Sequence, residues 1–181
     1  MQVNVPRTVV KPGEGRSVWL GGMGVVYKLP GTDTGGAFAV VEHPLEPGRL
    51  VLPHVYEDEY SYVLEGTLGA RVGDHEVVAG PGSYVIKPCG LMHTFWNAGP
   101  DPVRLLEIIS PAGFEKYFAE LADAGDPSRR QELAAKYGLT YSSDWIAGLT
   151  SKYNLKLLGE WPGLPLSIKQ RLHPLSSSSS W

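Results

Sequence analysis

The chain has 181 residues, of which 43% are hydrophobic and 19% are charged, enough to bury one core but short for two. With a net charge of −3 and no Lys/Arg cluster, it lacks the surface of a nucleic-acid or membrane binder, so small molecules are the expected partners. Its single cysteine, Cys89, excludes an internal disulfide and a CxxC zinc site. It has no signal-peptide pattern and no apolar run near the roughly 18 residues that span a bilayer, so we expect a cytoplasmic protein.

The first 110 residues alternate between glycine or proline and short runs rich in Val, Tyr, Ile and Phe, which is typical of many short antiparallel strands. A Gly73-Asp74 pair between two such runs predicts a hairpin turn. The predicted strands cover residues 24–28, 37–43, 50–56, 59–64, 67–72, 75–78, 84–87, 93–97 and 103–110.

Side chains at positions i and i+2 of a strand face the same side, so the predicted strands sort their residues into faces. His54 is expected to lie on the same face as Leu50, Leu52 and Tyr56. Glu59 is expected to face with Ser61 and Val63, and His93 with Phe95 and Asn97. Each of these sets could line one interior.

After Pro111 the pattern becomes helical. Phe114, Tyr117, Phe118 and Leu121 recur at helical spacing before a stop at Gly125, and further helices are predicted over residues 127–137 and 144–153. We therefore expect one mainly β domain over residues 1–158, with a barrel over about 15–110 and helices over about 111–153. Residues 159–181 are predicted to be a serine-rich tail.

The stretch GSYVIKPCGLMHTFWN, residues 82–97, places its glycines, proline, histidine and asparagine at a fixed spacing. It resembles the second motif of the cupin superfamily at every fixed position, which are Gly82, Pro88, Gly90, His93 and Asn97. This resemblance implies a jelly-roll β-barrel whose interior holds a metal, with His93 as one ligand.

The stretch GRLVLPHVYEDEYSYVLEG, residues 48–66, resembles the first cupin motif but has lost one histidine. If its loop is shortened, His54 is the first histidine and Tyr56 stands in place of the second, which the spacing from Gly48 favours. If the register is counted back from Glu59, His54 is the second histidine and Leu52 replaces the first. Both alignments retain His54, Glu59 and His93.

Two imidazoles and one carboxylate form a facial triad for a divalent first-row metal, and such a triad leaves open positions for other molecules. The expected metal is Fe, Mn, Co or Ni, with Zn and Cu as further candidates. Tyr56 either coordinates as a phenolate or only fills space. His43 is expected to be structural or at the rim of the pocket, and His75 to face solvent.

Residues 15–125 look like small single-domain cupins of the quercetin 2,3-dioxygenase type. The resemblance lies in three stretches, GGAFAVVEHPLEPG, YSYVLEG and HTFWNAGPDPVRLLEIISPAGFEKYF. The resemblance implies a metal-dependent dioxygenase acting on a flavonol or another phenolic or enol molecule, with Glu59 as the catalytic base. That role requires a raised pKa at Glu59. Two alternatives share the site: a small-molecule binding or sensing protein with a weakened metal site, and a metal-assisted isomerase or lyase. A homodimer is also expected.

Overall fold

A computed structural model describes residues 8–124 and 127–158 of the chain. Within them the chain forms mainly short strands, followed by helices. The strands are β1 (Ser17–Trp19), β2 (Gly24–Leu29), β3 (Ala39–Leu45), β4 (Arg49–Leu50), β5 (His54–Val55), β6 (Asp58–Glu65), β7 (Leu68–Val72), β8 (His75–Ala79), β9 (Tyr84–Lys87), β10 (His93–Asn97), β11 (Val103–Ser110), β12 (Thr140–Tyr141) and β13 (Lys156–Leu157). The helices are α1 (Glu115–Asp123), α2 (Pro127–Lys136) and α3 (Ile146–Tyr153).

The first sheet contains six strands in the order β1-β2-β3-β11-β6-β9, and every neighbouring pair is antiparallel. Burial alternates along its central strands β6 and β11, as the period-2 geometry of a strand requires. Most of the inward side chains are apolar, but Glu59, Ser61 and Glu107 also face inward and are buried. The central strands of this sheet therefore carry polar groups into the interior.

The second sheet has the order β12-β5-β10-β4-β13, and β7 joins it by pairing with both β10 and β8. All five residues of β10 are buried, because both faces of this strand are covered. On one face His93 and Phe95 point into the space between the sheets. On the other face Trp96 packs with Leu50 and Leu149, so α3 covers the outside of the sheet.

The single strand predicted over residues 50–56 is wrong, because the chain forms two short strands, β4 and β5, in this region. Pro53 has no N–H to donate to a ladder. In addition, β10 pairs Trp96 with Leu50 and His93 with His54, so four residue steps stand opposite three, which defines a β-bulge. The bulge breaks the expected alternation: Leu50 packs in a separate cluster instead of facing with His54.

Helix α1 closes one side of the space between the sheets. Phe114, just before the helix, and Tyr117 and Leu121 within it are buried in the main hydrophobic core. The start of α1 is anchored by Glu115, whose buried carboxylate accepts hydrogen bonds from the backbone N–H groups of Gly31 (3.0 Å) and Gly113 (2.6 Å). A carboxylate in the first turn is also favoured by the helix dipole.

The expected fold class, a mainly β architecture with C-terminal helices, is confirmed. Strands β9, β10 and β11 have the predicted bounds, whereas β1, β12 and β13 were not predicted because each is only two or three residues long. The proposed tail at residues 159–181 lies outside the described residues. The homodimer stays a prediction; the edge strand β9 exposes Tyr84 and Ile86, by 66% and 61%.

Candidate metal centre

Two histidines face each other on neighbouring strands of the second sheet. His54 on β5 is the register partner of His93 on β10, and their ring centroids are 4.4 Å apart. Both side chains are buried. Two imidazoles therefore share one small volume inside the protein, at the edge of the bulge between β4 and β5.

A backbone carbonyl fixes the tautomer of each histidine. Nδ1 of His54 lies 2.8 Å from the oxygen of Leu52, and Nδ1 of His93 lies 2.9 Å from the oxygen of Leu91. A carbonyl oxygen only accepts hydrogen bonds, so each Nδ1 carries the proton and donates it. With the proton on Nδ1, Nε2 is the atom of each ring that faces the cluster and can bind a metal, which is how metal-binding histidines are commonly oriented.

Glu59 on β6 completes the cluster from the opposite sheet. Its Oε1 lies 3.8 Å from Nε2 of His54, and its Oε2 lies 3.3 Å from Nε2 of His93. The candidate ligand atoms of the three residues all lie within 4.8 Å of one another. Two nitrogens and a carboxylate thus converge on one point.

The donor atoms of this cluster fit a cation. Nε2 of His93 is buried, and within the described part of the chain it has no hydrogen-bond partner. Burial lowers the pKa of His93 to about 4, so the ring is neutral at pH 7 and its lone pair faces a carboxylate oxygen. A divalent metal would satisfy both atoms, and two imidazoles with one carboxylate suit a first-row metal.

Glu59 is ionised although it is buried. Burial raises its pKa, but the Lys87 ammonium and the neighbouring imidazoles of His54 and His93 together outweigh burial and hold the pKa of Glu59 well below its usual range. Nζ of Lys87 donates to Oε2 of Glu59 at 3.0 Å. A low pKa suits a metal ligand. It is the opposite of the raised pKa that a catalytic base at this position requires.

Lys87 belongs to a larger buried network. It is fully buried on β9, with Nζ also donating to Oε2 of Glu107 at 2.6 Å and lying 4.9 Å from the centre of the Phe95 ring. Ser61 donates to the same Glu107 oxygen at 2.9 Å. Burial lowers the pKa of Lys87, but the two carboxylates outweigh it and raise that pKa, so the ammonium is retained. Burial raises the pKa of Glu107 to about 7.

A mostly apolar cavity adjoins the cluster. His54, Glu59 and Glu107 line one part of it, and another part is closed by Phe114, just before α1, and by Phe118 and other α1 residues. The remaining space is about 50 Å³, which is room for a few water molecules. Typical sites for drug-sized ligands have about 300–1,000 Å³. In this conformation the cavity therefore admits only a small molecule.

The two alignments of the first motif place different residues beside the cluster. Leu52 lines the cavity together with His54 and Glu59. The ring of Tyr56 instead stacks on Phe114, with centroids 4.1 Å apart, and packs against the hydrophobic core. Burial raises the pKa of Tyr56, which opposes formation of a phenolate. Coordination by Tyr56 stays a prediction.

Three buried polar residues near the cluster were not recognised as functional from the sequence. Lys87 and Glu107 occupy inward positions of β9 and β11, and alternation along those strands is the signal that could have found them. His43, which was expected to be structural or at the rim of the pocket, is 1% exposed and lines the cavity, and its Nδ1 donates to the oxygen of Gly24 at 2.9 Å. His75 is exposed, as predicted.

Comparison with known proteins supports the cupin fold that the two sequence motifs predict. Residues 41–109 match the cupin domain family. A polyketide cyclase, RemF from Streptomyces resistomycificus, is 22% identical with a TM-score of 0.51, over 57% of this chain and 79% of that chain. An RmlC-like cupin from Shewanella frigidimarina is 18% identical with a TM-score of 0.51, over 59% and 92%.

A sugar phosphate isomerase of the cupin superfamily from Silicibacter pomeroyi is 28% identical with a TM-score of 0.45 over 50% of this chain, and this chain spans 60% of its length. No curated protein matches the chain significantly. Among the described residues, no helix is both long and apolar enough to cross a membrane. Residues 41–109, which contain His54, Glu59 and His93, thus match the cupin domain family, and the chain has a cupin fold extended by C-terminal helices.

Proposed function

We propose that this protein is a metal-dependent cupin enzyme of the dioxygenase type, acting on a small enol or phenol. The observation that carries the proposal is the convergence of Nε2 of His54, Nε2 of His93 and the carboxylate of Glu59 beside an apolar cavity. Two histidines and one carboxylate with open positions are the donor set of non-haem Fe(II) oxygenases.

A metal held by these residues supplies a Lewis acid for an enol or phenol oxygen and, if it is redox-active, electrons for dioxygen. The protein supplies the rest. The carbonyl oxygens of Leu52 and Leu91 hold both imidazoles in the tautomer that presents Nε2. Lys87 donates to Glu59 and favours its ionised form, which supports a role of that carboxylate in metal binding, and the cavity beside it is lined mostly by apolar side chains.

The cavity also restricts the substrate. Its free space of about 50 Å³ is far below what a flavonol requires, so a flavonol enters only if α1 moves outward with Phe114 and Phe118. A small enol or diketone needs a smaller movement than a flavonol does. Small enols and diketones therefore take precedence over flavonols as first substrates to test.

The Lys87–Glu59 ion pair favours a second function of another class. Because Lys87 forms an ion pair with Glu59, that carboxylate has a counter-charge even without a metal. A metal-free cupin that binds or senses a small molecule is consistent with this pair. An isomerase or lyase would use the same three ligands without consuming oxygen.

The discriminating experiment loads the purified protein anaerobically with Fe(II), Mn(II), Co(II) or Ni(II) and measures oxygen uptake with small enols, diketones, phenols and flavonols. His93→Ala abolishes uptake if the cluster is the active site, whereas His75→Ala on the surface leaves it unchanged. Turnover without oxygen assigns the protein to the isomerase or lyase class. Ligand binding without metal and without turnover assigns it to the binding class and contradicts the proposal.

A further inference from the structure

The carboxylate oxygen closest to His93 is already occupied by an ammonium group. Oε2 of Glu59 lies 3.3 Å from Nε2 of His93, and the same oxygen accepts the hydrogen bond from Nζ of Lys87 at 3.0 Å. A metal bound to His93 and Glu59 would therefore have a fully buried positive charge as a close neighbour.

We propose that Lys87 is an internal cation that weakens metal binding at the His54–Glu59–His93 cluster, and that Glu107 is the counter-charge that restores part of the affinity. This inference rests on the proposed metal site and deepens it. It means that the affinity of the site is set by a buried ion pair behind the ligands as well as by the ligands themselves.

The geometry separates Lys87 from an ordinary supporting residue. A group that only orients a metal ligand usually does so with a carboxylate or a carbonyl, and its loss lowers metal affinity by about 10–100-fold. Lys87 orients Glu59 with a positive charge, which repels a divalent cation strongly in a buried site. Removal of Lys87 therefore lowers the metal affinity if Lys87 only orients Glu59, and raises the metal affinity if its charge repels the metal.

The position of Glu107 supports its assigned role. It touches Lys87 at 2.6 Å through Oε2, while its Oε1 is buried and, within the described residues, has no hydrogen-bond partner. Glu107 is thus close enough to compensate Lys87, but it lies outside the group of candidate ligands that His54, Glu59 and His93 form among the described residues. Two carboxylates around one ammonium leave the buried network with a negative charge when both are ionised.

The test measures Co(II) affinity by visible absorption and calorimetry at pH 7.5 or above for the wild type and three variants. We expect Lys87→Met to bind Co(II) at least about tenfold tighter than the wild type, and Glu107→Gln to bind it at least about tenfold more weakly. The double variant Lys87→Met/Glu107→Gln removes the ion pair together, leaves Glu59 uncompensated, and is also expected to bind more tightly than the wild type.

Lys28→Met is the matched control. Lys28 forms an ion pair with Glu42 at 3.5 Å elsewhere in the first sheet, so its replacement removes another lysine–glutamate pair of that sheet and is expected to leave Co(II) affinity unchanged. Lys87→Met leaves two buried carboxylates without their partner and can therefore unfold. The double variant leaves only Glu59 without its partner, so it tests the same effect in a less destabilised protein. Thermal unfolding of each metal-free variant shows that the measured protein is folded.

The outcomes separate this inference from the proposed function. Weaker binding by both Lys87 variants, with wild-type binding intact, overturns the inference and leaves the metal site standing. Binding by Lys87→Met but not by the wild type supports the inference in its strongest form. Absence of binding by the wild type and by both Lys87 variants overturns the metal site and the inference together.

Discussion

His54 and His93 are register partners across the β5–β10 ladder, with ring centroids 4.4 Å apart and each Nδ1 tied to a carbonyl oxygen of its own segment. Each ring therefore turns Nε2 toward Glu59 on the opposing sheet. The pairing register of one short ladder thus sets the geometry of the candidate metal centre.

Replacing His93 with alanine is expected to reduce Co(II) affinity by more than about 100-fold, because it removes one of three ligands, whereas loss of a group outside the ligand set typically costs about 10–100-fold. Calorimetric titration of Co(II) into the metal-free protein measures the change. His75→Ala is the control, because His75 is exposed on β8. Unchanged affinity in His93→Ala would show that Co(II) binds elsewhere.

The two alignments of the first motif can be tested by returning the missing histidine. Leu52 lines the cavity beside His54 and also packs against Ile146, whereas the ring of Tyr56 stacks on Phe114. We therefore expect Leu52→His to tighten Co(II) binding by about tenfold or more, and Tyr56→His to tighten it less. Co(II) absorption spectra of both variants report whether the new imidazole enters the ligand set. A larger gain in Tyr56→His would support the shortened-loop alignment instead.

Acid is expected to destabilise the fold through His43. Burial lowers its pKa to about 4, against about 6.5 in the unfolded chain, so the unfolded state binds more protons between these values. The stability that the neutral His43 ring contributes is fully present above about pH 6.5 and is lost as the pH falls toward 4. Between about pH 7 and about pH 5 the free energy of unfolding falls by about 2 kcal/mol for this reason.

Urea unfolding at several pH values checks this, with His43→Gln as the comparison. The free energy of unfolding of the variant should fall less steeply with acid, although His93 adds a similar dependence to both proteins. Equal slopes for the two proteins would rule out His43 as the source.

The closure of the cavity by the start of α1 predicts a large packing effect at Phe114. Its ring is buried and stacks between Tyr56 and Tyr117, at centroid distances of 4.1 and 5.1 Å. Phe114→Ala is expected to lower the free energy of unfolding by about 3–5 kcal/mol.

Urea denaturation measures the effect of Phe114→Ala. Val78→Ala is the control, because Val78 is 72% exposed and its truncation should change the stability by no more than about 0.5 kcal/mol. A loss near 1 kcal/mol at Phe114 would mean that α1 is only loosely attached to the barrel.

Local sequence patterns were sufficient for much of the fold. The bounds of β9, β10 and β11 were predicted because each runs between clear turn signals. The motif glycines also have a local cause: Gly48 and Gly82 have φ values of +69° and +88°, a region that favours glycine. The bulge between β4 and β5 was missed because it depends on how that segment pairs with β10.

By itself the sequence determined which residues are candidates for the metal centre, because the two motifs fix His54, Glu59 and His93 through spacings within single strands and turns. Only the tertiary structure decided what surrounds them. Lys87 and Glu107 meet Glu59 because β9, β6 and β11 are neighbours in one sheet with a particular register. Such pairing joins residues far apart in the chain, and no local pattern records which strands become neighbours.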